Sequence, residues 1–153
     1  MPAIIYRQGD LLKAPERVIC HGCNAQGKMG AGIATAIKKI YPEAFSLYRA
    51  TYEAQGNRLE LGQSIWVDCS DGRTVINAIT QEFFGRDPNT VYVSYDAVRR
   101  VLSEINDWAQ KRHTPPSVAF PKIGAGLANG DWHVIAEIIE SEASAFQPIV
   151  YSL

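Results

Sequence analysis

Between His21 and Ile37 the chain reads HGCNAQGKMGAGIATAI, and no other stretch restricts its fold as tightly. The apolar run Val18-Ile19-Cys20 leads into it, as in a strand covered on both faces. Ile33, Ile37 and Ile40 lead out of it at helical spacing. The join holds Gly27, Gly30 and Gly32, which have no Cβ, so backbone N–H groups can turn inward and approach a ligand closely. A helix starting there aims the positive end of its dipole at the same spot. An anion is the natural occupant. Three glycines between a strand and a helix also occur as a tight connection with no ligand, so this stretch alone leaves both readings open.

Two common nucleotide loops are excluded. No Gly-Lys-Ser/Thr closes the turn as in a P-loop, and GKMGAG sets Lys28 and Met29 between its first two glycines, where a dinucleotide fingerprint has one residue. Broad attachment to nucleic acid or to an anionic membrane is also disfavoured, because 15 basic residues face 16 acidic ones for a net charge of -1. Phosphate recognition has to be local.

At 153 residues the chain fits one domain, 1–153, large enough to bury a core without disulfide or metal staples. Cys20 and Cys23 are spaced CxxC but lie on a strand, where side chains three positions apart point to opposite faces, and with Cys69 they make an odd count. Buried reduced thiols are expected, with no metal site. The N-terminus MPAIIYRQGD carries no signal-peptide pattern, and no apolar run reaches the roughly 18–20 residues of a membrane span. A soluble, cytoplasmic monomer without membrane attachment is expected.

The remaining pattern alternates strands and helices. Strands are expected at 4–8, 18–23, 64–68, 74–80, 117–121 and 149–151, with the turn Ser70-Asp71-Gly72 making a hairpin of the third and fourth. Helices are expected at 31–40, 43–55 and 95–112, the last capped by Ser94, and a further one follows Asp131 with Trp132, Ile135, Ile139 and Phe146 inward. Gln81 to Val93 is left as a long loop carrying Phe83, Phe84 and Tyr92, and loops of that length in compact domains are often functional. The alternation gives an α/β fold, a three-layer α/β/α sandwich around a central mixed sheet. A second glycine turn, Ile123-Gly124-Ala125-Gly126-Leu127, again stands between a strand and a helix. Loops at the carboxyl ends of strands in an open α/β sheet line one crevice, so two such turns suit the two halves of a diphosphate.

The motifs QGDLL, HGCNAQGKMGAGIATAIKKIYP, PKIGAGLANGDW and the ending VYSL together resemble a macro domain, the ADP-ribose-binding α/β module. The branch most like it contains terminal ADP-ribose protein glycohydrolase, bacterial DNA ADP-ribosyl glycohydrolases and yeast ADP-ribose 1″-phosphate phosphatase. The resemblance implies that Asp10 takes the adenine amino group with Leu11 beside it, and that Tyr151 packs near adenine. It implies that Gly30, Ala31, Gly32 and Ile33 offer amides to one phosphate, that Gly124, Ala125, Gly126 and Leu127 offer them to the other, and that Asn24 reaches the distal ribose.

The chain has Gln81 where the human glycohydrolase pattern has a catalytic lysine, Ala128 where that pattern has an aspartate, and Ala34 at the aspartate of macro-D hydrolases. His21, matching the phosphatase motif, and Asp131 are then the candidate catalytic pair, against their plain alternatives of a hydrogen-bonded strand histidine and a helix-start carboxylate. The expected function is binding of ADP-ribose and hydrolysis of a derivative, foremost ADP-ribose 1″-phosphate. The alternatives are a non-catalytic ADP-ribose reader and an ADP-ribosyl hydrolase lacking the usual Lys/Asp pair. ADP-ribose or a derivative is the implied ligand, ADP-ribosylated macromolecules are possible partners, and no cofactor is called for.

Overall fold

The computed structural model describes residues 2–153. Its six strands are β1 (Ile5–Gln8), β2 (Val18–Asn24), β3 (Ser64–Asp68), β4 (Thr74–Gln81), β5 (Ser117–Phe120) and β6 (Gln147–Ser152). They form one sheet in the order β1-β6-β5-β2-β4-β3. Every neighbouring pair is parallel except β3 with β4, the expected hairpin, which turns through Gly72 at φ 88°. The sheet is therefore mixed, and its parallel strands all end on one edge.

Four helices cover it: α1 (Ile33–Ile40), α2 (Pro42–Ala54), α3 (Tyr95–Gln110) and α4 (Trp132–Glu142). Ile37 of α1 and Ala44 and Tyr48 of α2 are buried in a core that also takes Ile19, Cys23, Val75 and Ile79 from the sheet. Val98, Val101, Leu102 and Ile105 of α3 pack with Ile135 and Ile139 of α4 against Cys20, Ile76, Val118 and Phe120 on the opposite face. This is the expected three-layer arrangement. It follows from the strands themselves, since the residues of β4 from Val75 to Thr80 are all buried and need cover on both sides. Cys20 and Cys23 lie in different cores as free thiols, as their spacing requires.

Some elements differ from expectation at their ends. α1 starts at Ile33, not at residue 31, because Gly32 sits at φ 61°, which is not helical. Ile40 is 53% exposed and does not join Ile37 in the core, since the helix ends there. Leu47 is likewise exposed, leaving Ala44 and Tyr48 as the buried face of α2. Ser94 does cap α3, accepting from the Ala97 amide at 3.2 Å.

One topological fact places the site. β2 feeds α1 on one face of the sheet, whereas its neighbour β5 feeds α4 on the other. Connections that leave adjacent strands for opposite faces open a crevice at their carboxyl ends. The β2–β5 ladder spans only Val18↔Val118 and Ile19↔Ala119, while β2 runs on to Asn24, so the two chains part as they approach that edge.

Candidate functional site

The crevice is a cleft of about 740 Å³, floored by Gly22 and Cys23 and walled by the segments that follow β2, β5 and β4. From the first come Asn24, Lys28, Gly30, Ala31, Gly32 and Ile33; from the second, Lys122, Gly124, Ala125, Gly126 and Leu127. The third supplies Gln81, Phe84, Gly85 and Arg86. Both glycine turns expected to share a ligand thus face the same space.

The first turn is held from beneath. Ala25 and Met29 are buried and tie it to the core, while the Tyr48 hydroxyl donates to the Asn24 carbonyl at 2.6 Å. The Asn24 side chain is fixed at both ends, its Nδ2 donating to the Lys28 carbonyl at 2.8 Å and its Oδ1 accepting from the Gln26 amide at 2.9 Å. Among the described residues, the amides of Gly30, Ala31, Gly32 and Ile33 donate to no backbone carbonyl, and Gly32 supplies no side-chain cap to α1. Four unspent N–H groups at a helix start make an anion cradle.

The second turn is braced by its neighbours. The Gly130 amide donates to the Gly124 carbonyl at 2.7 Å, and the Asn129 side chain donates to the carbonyls of Asp87 and Thr90, joining this turn to the β4–α3 loop. Gly124 lies at φ 76°, where a Cβ would collide with Val93 and crowd Ile135. Here the structure amends the expected contact set. The Ala125 amide already donates to the Lys122 carbonyl at 3.1 Å, so the amides left for a ligand are those of Gly124, Gly126 and Leu127.

The charged groups on the lining are Lys28, Arg86 and Lys122, and all are cationic. None is neutralised by an ion pair, since the only one among the described residues joins Arg49 to Glu53 on the surface. Lys28 reaches across toward the loop after β4, its Nζ 5.7 Å from the centroid of the Phe84 ring. Lys28, Arg86 and Lys122 were missed by sequence reasoning, and their only signal was position beside a glycine turn or in the long loop. Phe84 faces the cleft, whereas Phe83 is 63% exposed and is not part of its lining.

The two residues singled out for catalysis lie elsewhere. His21 is completely buried on the α2 side of the sheet and contributes nothing to the cleft surface. Its Nε2 stands 2.7 Å from Asn77 Oδ1. The Asn77 Nδ2 donates to the Ala44 carbonyl, which leaves Oδ1 as an acceptor and places the imidazole proton on Nε2. Burial holds the pKa of His21 down to about 4, with the Asn77 bond opposing only part of the shift. The ring is a neutral structural group that ties β2 to α2 through β4. His21 shares its strand face with Cys23 but lies two residues farther from the carboxyl edge, so Cys23 reaches the cleft and His21 stays beneath it.

Asp131 is the exposed N-cap of α4, accepting from the His133 amide at 2.9 Å, and it too is absent from the lining. Cys23 does line the floor, but burial pushes its thiol well above the ordinary range, so it is not a thiolate nucleophile.

The three residues assigned to adenine are also outside the cleft proper. Asp10 and Tyr151 stand at or near the ends of β1 and β6, on the same edge of the sheet. Asp10 caps the 3₁₀ turn Leu11–Lys13 through Oδ1, leaving Oδ2 with no partner among the described residues. Leu11 is buried in the core, and the Tyr151 hydroxyl donates to Glu16 at 2.6 Å.

Comparison with known proteins agrees with this geometry. The family model described as Macro domain matches residues 20–139. An uncharacterized 17.5 kDa protein of phage T4 is 30% identical over 151 residues, covering 95% of this chain and 93% of its own length. A DNA ADP-ribosyl glycohydrolase of Mycobacterium tuberculosis is 30% identical over 95% of this chain, which spans only 39% of that protein. A Candida albicans ADP-ribose 1″-phosphate phosphatase is 26% identical over 84% of this chain and 86% of its own length. Among solved structures, a Bacteroides thetaiotaomicron protein of unknown function superposes with a TM-score of 0.87 at 31% identity, covering 99% of both chains. The macrodomain of Mycobacterium tuberculosis DarG superposes at 0.79 with 25% identity, over 100% of this chain and 99% of its own. A six-stranded mixed sheet, a crevice where β2 and β5 part, and a family match over most of its length lead to one assignment: the chain belongs to the macro domain family.

Proposed function

We propose that this protein binds ADP-ribose with its diphosphate between the two glycine turns and acts as a reader of that group. The observation that carries the reading is the set of unspent amides, from Gly30 to Ile33 on one wall and at Gly124, Gly126 and Leu127 on the other, facing one cleft whose charged side chains are all cationic. Preorganised N–H groups and cations of this kind favour a multiply charged anion over a neutral sugar. Asn24 sits at one end of the diphosphate site as the contact for the distal ribose. Asp10 Oδ2, farther along the same edge, is the acceptor offered to the adenine amino group. ADP-ribosylated macromolecules are partners by the same token.

Reading is favoured over hydrolysis because the lining contains no aspartate, glutamate or histidine, which leaves Lys28 and Lys122 as its acid–base side chains beside a Cys23 thiol that burial keeps protonated. A protein-borne general acid or base needs to come within about 3 Å, or one water, of the reacting group. His21 and Asp131 do not face the cleft, and Gln81 and Ala128 have no acid–base function. The second reading, removal of the terminal phosphate from ADP-ribose 1″-phosphate, is favoured by the relative named for that activity and by three cations to receive an extra phosphate. It then requires charge stabilisation by these cations, with Lys28 or Lys122 handling the proton in place of a histidine.

Isothermal titration with ADP-ribose and with AMP tests the binding, and phosphate release from ADP-ribose 1″-phosphate tests the chemistry. We expect ADP-ribose to bind well ahead of AMP and phosphate release to stay at background. Turnover that disappears in a Lys28→Ala/Arg86→Ala double variant would decide for the second reading. A calorimeter silent toward ADP-ribose would remove both.

A further inference from the structure

We infer that Gln81 is a specificity residue of the cleft, pairing with Asn24 to recognise a vicinal cis-diol of the ligand's distal sugar by one donor and one acceptor. The inference rests on the proposed ADP-ribose binding and deepens it. Asn24 and Gln81 are partners across the β2–β4 ladder, where a register shift after Cys23 brings them opposite each other at the mouth of the sheet. Both line the cleft. Neighbouring strands run about 4.8 Å apart, so two side chains leaving partnered positions into one space reach adjacent groups of a single ring.

Their amide orientations are set by the surroundings. Gln81 bonds the Phe83 carbonyl at 2.7 Å. A carbonyl can only accept, so the atom facing it is Nε2, and Oε1 is the end turned away. That oxygen accepts no hydrogen bond among the described residues. Asn24 is the complement. Its Oδ1 accepts from the Gln26 amide, the Tyr48 hydroxyl proton being directed chiefly at the Asn24 carbonyl, and its Nδ2 spends one hydrogen on the Lys28 carbonyl. One N–H of Asn24, the second N–H of Gln81 and the Gln81 C=O remain, so the only wholly free acceptor of the pair is Gln81 Oε1. A hydroxyl that accepts from the Asn24 N–H beside a hydroxyl that donates to Gln81 Oε1 is the pattern a closed furanose cis-diol presents. A cation at position 81 would present donors only, and so would not complete this pattern.

The experiment measures binding of ADP-ribose and of ADP, which keeps the diphosphate and lacks the distal ribose, to the wild-type chain and to Gln81→Met. Methionine preserves the length of the side chain and removes both its acceptor and its bond to the Phe83 carbonyl, any effect of losing the latter falling on both ligands alike. The wild-type chain is expected to prefer ADP-ribose. Gln81→Met is expected to bind ADP-ribose about tenfold more weakly and ADP as before, the ratio expected from one hydrogen bond. Equal weakening toward both ligands would make Gln81 a support of its loop and overturn the inference, as would no weakening toward either. Wild-type protein that holds ADP and ADP-ribose equally would also overturn it while leaving diphosphate recognition intact. Wild-type protein that binds neither would bring down the proposed function and this inference together.

Discussion

His21 Nε2 and Asn77 Oδ1 face each other across 2.7 Å in the interior of the sheet, and neither touches the cleft. The histidine of the most conspicuous motif in the chain is thereby a bolt between strands β2 and β4. Asn77 passes the connection on to the carbonyl of Ala44 at the start of α2.

A pH signature follows from that burial. The folded pKa of His21 is about 4 against 6.5 for a free imidazole, so between these values the unfolded chain binds the extra proton. Stability from this group is complete above pH 6.5 and is lost as pH falls, by about 2 kcal/mol at pH 5 and roughly 3 kcal/mol below pH 4. Urea unfolding of wild type and His21→Gln at pH 7 and pH 5 checks it, with the variant less stable at neutral pH but flatter between the two. Equal slopes would show that the ring titrates normally in the folded protein.

Asp131 is expected to matter for stability and not for the ligand. As N-cap of α4 it accepts from the His133 amide, and Asp131→Ala should cost about 1 kcal/mol in thermal or chemical unfolding. The affinity for ADP-ribose should be unchanged. A large loss of affinity without loss of stability would return Asp131 to the site.

The glycines divide into two kinds. A Cβ on Gly124 meets Val93 at 2.7 Å and requires a positive φ, so Gly124→Ala should destabilise the fold by about 1–3 kcal/mol. A Cβ on Gly30 or Gly126 meets nothing within 4 Å. Gly30→Ala and Gly126→Ala should therefore melt like wild type yet bind ADP-ribose at least about tenfold more weakly, because the added methyl occupies space reserved for the diphosphate. Wild-type affinity in both would place the ligand elsewhere.

The cations should be read through salt. Replacing Lys28, Arg86 and Lys122 singly by alanine removes a charge from the cleft without breaking an ion pair. Each should weaken ADP-ribose binding by about 0.5–1 kcal/mol at low ionic strength, and the loss should shrink as salt is raised. A loss that persists undiminished in high salt would point to packing, as when Lys28 steadies the Phe84 ring.

The fold was legible because its signals are local and agree with each other. Val18 to Cys20 and Val75 to Ile79 spell buried strands, Ser94 spells a helix start, and glycine turns after β2 and β5 spell the crevice. Side-chain placement was harder to read. His21 and Cys23 share one face of β2, yet only Cys23 reaches the cleft, because His21 lies two residues farther from the carboxyl edge and is covered, a depth that a run with no polar alternate does not display. The acceptor–donor state of an amide such as Gln81, and the spent amide of Ala125, depend on carbonyls that only the folded loops bring near. Lys28, Arg86 and Lys122 come from three separate segments and meet only because β5, β2 and β4 are neighbours in the sheet.

The most direct test is a ¹H–¹⁵N correlation spectrum recorded while ADP-ribose is titrated into the labelled protein. The amides of Gly30 to Ile33 and those of Gly124, Gly126 and Leu127 are expected to shift together and saturate at a single stoichiometric point. Shifts confined to one turn, or two turns responding at separate concentrations, would contradict a diphosphate shared between them.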